Sequence, residues 1–216
     1  MKKLAAQDRS ALIKLASGLS PGSPERVVIL AGLTKQSSDE VNVPGKHILG
    51  KAEVSDAAKV YGNAEVFGDA KVYDNAKVLG KAMVSGRAGV YGNAKVYDNA
   101  KVMGKADVYG KANISGTASV FGGAKVYGRA KVYGDAGVGG NAMVYGNAEV
   151  YGRAWVYDNA KVYGRAKVYG DAHVSGNAKV YGKANISGTA VIMGGDWDGS
   201  EGPITSGRWK APGDPA

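Results

Sequence analysis

Tyrosine recurs every 18 residues along much of this chain, at Tyr73, Tyr91, Tyr109, Tyr127, Tyr145, Tyr163 and Tyr181. Rings in a regular column can stack on one another or on sugars and bases, and their phenols can hydrogen bond. Beside that column run Lys71, Lys125, Lys161 and Lys179, and a second basic column at multiples of the same spacing holds Lys59, Lys77, Lys95, Lys131 and Lys167. Lysines in rows gather anionic groups, or lay their stems over the rings with the charge in water. The chemistry suggested is recognition of an extended anion. Acidic polysaccharide and single-stranded nucleic acid both fit this pattern.

Bond-making chemistry is thinly supplied. General-base catalysis needs a group of suitable pKa set against its acceptor, and the only imidazoles are His47 and His173. The Asp–Asn pairs at 74–75, 98–99 and 158–159 stand where a corner favours both residues for backbone reasons. They fall on different edges and form no repeated carboxylate cage, so no metal and no cofactor are expected. The chain has no cysteine, which removes disulfides and thiolate metal sites.

These residues are positioned by a strict repeat. From Ala52 to Gly195 the chain divides into 24 hexads without insertion or deletion. Position one is always Ala. Position three is Val except at Ile114, Ile186 and Ile192, and position five is Gly except at Asp56, Asp74, Asp98 and Asp158. Residues two apart share one side of a strand, while Gly or Asp before Asn suits a tight corner with positive φ. Each hexad is thus a short strand and a corner. With only Ala and Val pointing inward, the strands must wind around a narrow interior, which a coiled parallel solenoid provides.

An aliphatic residue followed four positions later by a small one, as in Val60 with Ala64 and Val66 with Ala70, continues through all the hexads. On this motif the chain resembles the hexapeptide-repeat proteins over about two thirds of its length. That resemblance implies a left-handed parallel β-helix of about eight triangular turns, three hexads to a turn. The residue after Val sorts accordingly: the first face carries the seven tyrosines above, the second five, and the third only Tyr157. The resemblance also brings acyltransferases into view, with a histidine base and a site between the coils of a trimer. No inserted loop accompanies His173, so the scaffold is matched without the catalytic features, and enzymatic activity is not favoured. The third face is the more apolar, and Trp155, Phe121 and Met103 are candidates for an interface with another copy. A trimer, or a shaft like those of phage fibres, follows by analogy with the family.

The ends break the period. Residues 1–33 suggest a helical leader, with Ser23 and Pro24 as a helix start; 34–51 suggest a linker and lead-in to the coil; 196–216 suggest an irregular cap in which Trp197 covers the last coil. Gln7, Asp8, Arg9 and Ser10 interrupt the opening apolar run, so no signal peptide and no membrane span are expected. A cytoplasmic or virion protein, or one released by lysis, is the reading that follows. With Lys plus Arg at 28 against 19 Asp plus Glu, the net charge is +9. The whole describes a non-enzymatic rigid rod, structural or binding, that offers Tyr and Lys columns to a polymer or protein partner.

Overall fold

The computed structural model describes residues 48–212 and 214–215; the expected helical leader, most of the linker and His47 lie outside the described residues. Among the described residues every regular element is a strand, most of them two residues long, such as Lys59–Val60 and Lys125–Val126. Strands this short cannot stand alone. They persist because each pairs in parallel with the strand 18 residues before and after it, as Lys59 with Lys77 and Lys77 with Lys95. Three sheets of 11, 9 and 8 strands result, one for each face, and the coil makes about nine turns.

The hexad explains each part of this wall. The N–H of Lys125 donates to Ala142 at 2.9 Å, that of Tyr127 to Val144 at 3.0 Å, and that of Arg129 to Gly146 at 2.7 Å. Outward residue types are therefore free to vary, because the ladder uses only backbone. The inward Ala and Val side chains, from Ala64 to Val180, are essentially fully buried. Each such valine contributes about 1.5–3 kcal/mol by leaving water. Since Ala and Val are small, the three sheets meet in one thin core with no room for a ligand inside. Function must lie on the outside.

The corners need positive φ. Gly128 sits at +72°, with an added Cβ only 3.0 Å from the Gly146 nitrogen. Three corners use aspartate instead, at φ of 58 to 60°, whereas Asp56, the fourth aspartate at this position, turns its corner without a positive φ. Their carboxylates accept the N–H of the next coil's corner residue: Asp74 from Gly92, Asp98 from Gly116 and Asp158 from Gly176, at 2.9, 3.0 and 3.1 Å. These aspartates are corner parts, not ligands in waiting.

Both ends extend the coil beyond the 24 hexads. Ile48–Gly50 pairs with Val66 to Gly68. At the other end Asp196–Trp197 pairs with Lys179 and Val180, a step of 17 residues, so one residue has been dropped from the repeat. Trp197, Ile204 and Trp209 then stand opposite Val180, Ile186 and Ile192. Large side chains replace valine in the last turn and plug the core. Trp197 is buried, its indole N–H donates to Gly194 at 2.7 Å, and Trp209 packs edge-on against it at 6.1 Å. The tail is irregular in spacing yet closes the wall, which covers hydrophobic edges otherwise open to end-on pairing.

Candidate binding surface

The first face carries the tyrosine column, and the structure divides it in two. Tyr109, Tyr127, Tyr145, Tyr163 and Tyr181 stack with centroids 4.8 to 5.0 Å apart and planes parallel within 7°. Their spacing is that of the strands to which they belong. Tyr91 does not continue this stack. Its ring lies over Gly89, where an added Cβ would fall 1.8 Å from the phenol oxygen, and its hydroxyl donates to Asp107 at 3.3 Å. Tyr73 meets Tyr91 more loosely, at 6.1 Å and 21°, and donates to Glu53. A glycine gap and a carboxylate one coil away are enough to pull a ring out of line.

The second face repeats the theme in shorter form. Tyr133, Tyr151 and Tyr169 stack at 4.8 and 4.9 Å, whereas Leu79 and Ser115 interrupt the same column nearer the N-terminal end. Of its basic column, Lys131 pairs with Glu149 at 3.0 Å and Lys59 stands 6.0 Å from the Tyr61 ring. Lys95 and Lys131 border an open cleft of about 470 Å³ with Leu79, Tyr97 and Asn113.

Flat neighbours have a chemical consequence for the long stack. Each inner ring already has a ring on both faces at 4.8 to 5.0 Å, too close for a sugar or base to enter. Only ring edges and hydroxyls face outward. Burial pushes the phenols of Tyr109, Tyr127, Tyr145 and Tyr163 above their ordinary value, with smaller contributions from Asp107 or a neighbouring tyrosine. At neutral pH they are hydrogen-bond donors.

Charge follows the same division. Outward on the first face from Tyr109 to Lys183 stand Lys111, Lys125, Arg129, Lys161, Arg165, Lys179 and Lys183, with no carboxylate among them. Among the described residues only Lys179 of this set is in an ion pair, with Asp196 at 3.1 Å. Along one border of the stack lies a cleft of about 330 Å³, lined by Asn141, Asn159 and Asn177 on one wall and Met143, Lys161 and Lys179 on the other. Reading the columns by residue type alone missed this asymmetry, although the positions of Glu53 and Asp107 within the column carried the signal.

The third face gathers the expected interface residues differently. Phe121 lies over Gly139 and Trp155 over Gly137, so the two rings lean from opposite sides onto one coil and meet edge to face at 6.0 Å. Trp155 keeps 37% of its surface exposed, and Met103 is half-buried. His173 rests edge-on to the Tyr157 ring at 6.3 Å. Among the described residues no three His, Asp or Glu side chains converge as metal ligands would, and no helix is long and apolar enough to cross a membrane. No protein-family model matches this chain, and no curated protein matches it.

Proposed function

We propose that this protein is a non-enzymatic rigid rod, wound left-handed as its hexad resemblance implies, that presents its Tyr and Lys columns to a linear polyanion. One observation carries the reading: a continuous five-ring stack lies between cationic columns, with carboxylates standing at its two ends, Asp107 beside Tyr109 and Asp196 beside Lys179. The backbone ladder holds these groups at fixed intervals, so the ordering entropy of the surface is already spent in folding. A repeating ligand can then meet a repeating site, each unit adding to the last as in any multivalent contact.

The full chain should bind immobilised anionic polymers, tested with polygalacturonate, heparin and poly(dT) by surface plasmon resonance at low and high salt. Binding that weakens as salt rises is the expected result, because screening reduces attraction between exposed charges. Failure to bind any of the three at low salt rejects the reading.

A further inference from the structure

Resting on that reading, we infer that the ligand is an acidic polysaccharide seated along the cleft between the Asn141–Asn159–Asn177 column and the Lys161–Lys179 column, its chain parallel to the solenoid axis. Two successive coils present the same row across the first face, and a third keeps part of it. Asn159, Lys161, Tyr163 and Arg165 form one row, and Asn177, Lys179, Tyr181 and Lys183 form the next. In the preceding coil Asn141 and Tyr145 keep the amide and the phenol, while Met143 and Asn147 carry no charge. Rows recur at the 4.8 to 5.0 Å step of the ring stack, close to the length of one pyranose unit in an extended chain.

The donor set matches sugar rather than base chemistry. An amide both donates to and accepts from hydroxyls, an ammonium or guanidinium takes a carboxylate or sulfate, and a protonated phenol adds a further donor. The amides are aligned: the Asn141 side-chain nitrogen donates to the Asn159 oxygen at 3.4 Å, and the Asn141 amide leans over Gly123 on the coil before. At Gly123 the amide column stops, which sets one end of the cleft. Sequence-tolerant binding of single-stranded nucleic acid relies on bases laid against open aromatic faces. Here the inner faces are occupied by neighbouring rings, which removes base stacking from the inner rings.

The test uses the full chain and a triple variant, Asn141→Leu, Asn159→Leu and Asn177→Leu, which leaves every charge in place. A control variant, Lys81→Gln with Lys101→Gln, removes two cations that lie outside the cleft and outside both basic columns. Polygalacturonate, dextran and poly(dT) serve as probes in calorimetric titrations, with thermal melts confirming that each variant is folded. The expected result is polygalacturonate affinity at least tenfold weaker in the asparagine variant, nearly unchanged in the control, and absent for dextran. Equal loss in both variants places the polymer elsewhere and overturns the site while the rod reading survives. Poly(dT) binding as tight as polygalacturonate and indifferent to the asparagines overturns the sugar assignment. Should the asparagine variant not fold, Asn159→Gln with Asn177→Gln, longer amides that fit the cleft poorly, is expected to give the same weakening. Unchanged polygalacturonate affinity there overturns the site.

Discussion

The two halves of the first face share one backbone and differ in a handful of side chains. In the N-terminal half, Glu53 and Asp107 accept hydrogen bonds from Tyr73 and Tyr91, Gly89 leaves a gap for a ring to fall into, and Asp74 turns the corner. The C-terminal half has glycine at every corner of this face, its carboxylates stand beyond the last ring, where Asp196 pairs with Lys179, and its rings stand in register. A tyrosine column is therefore a property of its neighbours. Stacking prevails only where nothing nearby competes for the phenol.

The largest expected effect concerns the corners. Gly146→Val forces a β-branched residue into φ of +72° with its Cβ 3.0 Å from the Gly164 nitrogen. Such strain costs about 1–3 kcal/mol before any steric clash is added. Gly146→Asp should cost much less, because Asp74 adopts φ of 59° on the same edge and accepts the Gly92 N–H. Melting temperatures of the two variants check this. Equal destabilisation would show that the aspartate corner depends on its N-terminal surroundings.

Next in size is conversion of one half into the other. Gly89→Lys with Asp107→Asn fills the gap under Tyr91 and weakens its acceptor. The Tyr91 ring should then swing into line with Tyr109, a gain of about 0.5–1.5 kcal/mol per ring pair. Stronger tyrosine coupling in near-ultraviolet circular dichroism is the readout. A spectrum identical to that of the parent would mean that the break has another cause.

The fold was legible because the hexad leaves so little choice. Inward positions accept only Ala, Val or Ile, corners accept only Gly or Asp, and the 18-residue sorting of tyrosines already implies three strands per turn. Columns followed from that register, as did Trp197 as a cover for the last coil. The ring break did not, since it depends on a missing Cβ at Gly89, two residues before Tyr91 in the same hexad, together with an acceptor at Asp107, 16 residues away in sequence but adjacent in space. Nor did the ninth turn, because the inward residues Trp197, Ile204 and Trp209 abandon the six-residue interval. The asparagine cleft was hidden for a different reason: position six was read as a corner residue, and its side chains acquire a role only when three coils align them.

A smaller effect at alkaline pH is common to both halves, since the Tyr73 and Tyr91 phenols are raised as well, the first by its hydrogen bond to Glu53 and the second by burial. Burial, first among the causes, raises the phenols of Tyr127 and Tyr145 above their ordinary value of 10.0. Ionisation is thus harder in the fold than in the unfolded chain. The stability this gives is complete below 10.0 and is lost as pH rises through the higher folded values. Absorbance titration of tyrosinate should show these rings ionising late, together with loss of the stacked dichroism signal. If all thirteen tyrosines titrate at the ordinary value, the stack gives its phenols no protection.

The smallest effect lies at the acid end, where Glu53 in the N-terminal half and Asp198 beyond the stack are both held below their ordinary values. The Tyr73 hydrogen bond, and then the Lys71 charge at 3.5 Å, hold the Glu53 carboxyl below its ordinary 4.5. Glu53 is therefore more willing to ionise in the fold than in the unfolded chain. Its contribution is present above pH 4.5 and fades as the pH falls through the lower folded value. Because the carboxylate is open to water, screening keeps the contribution small. Glu53→Gln should flatten the acid limb of the melting curve slightly and free Tyr73, leaving the dichroism of the Tyr109–Tyr181 stack unchanged. Asp107, Asp196 and Asp198 stand at the two ends of that stack, so an equal response along its length would mean that the two halves share one cooperative fate, as nearest-neighbour coupling along a solenoid permits, and the contrast between them would be one of surface chemistry without a separate stability behind it.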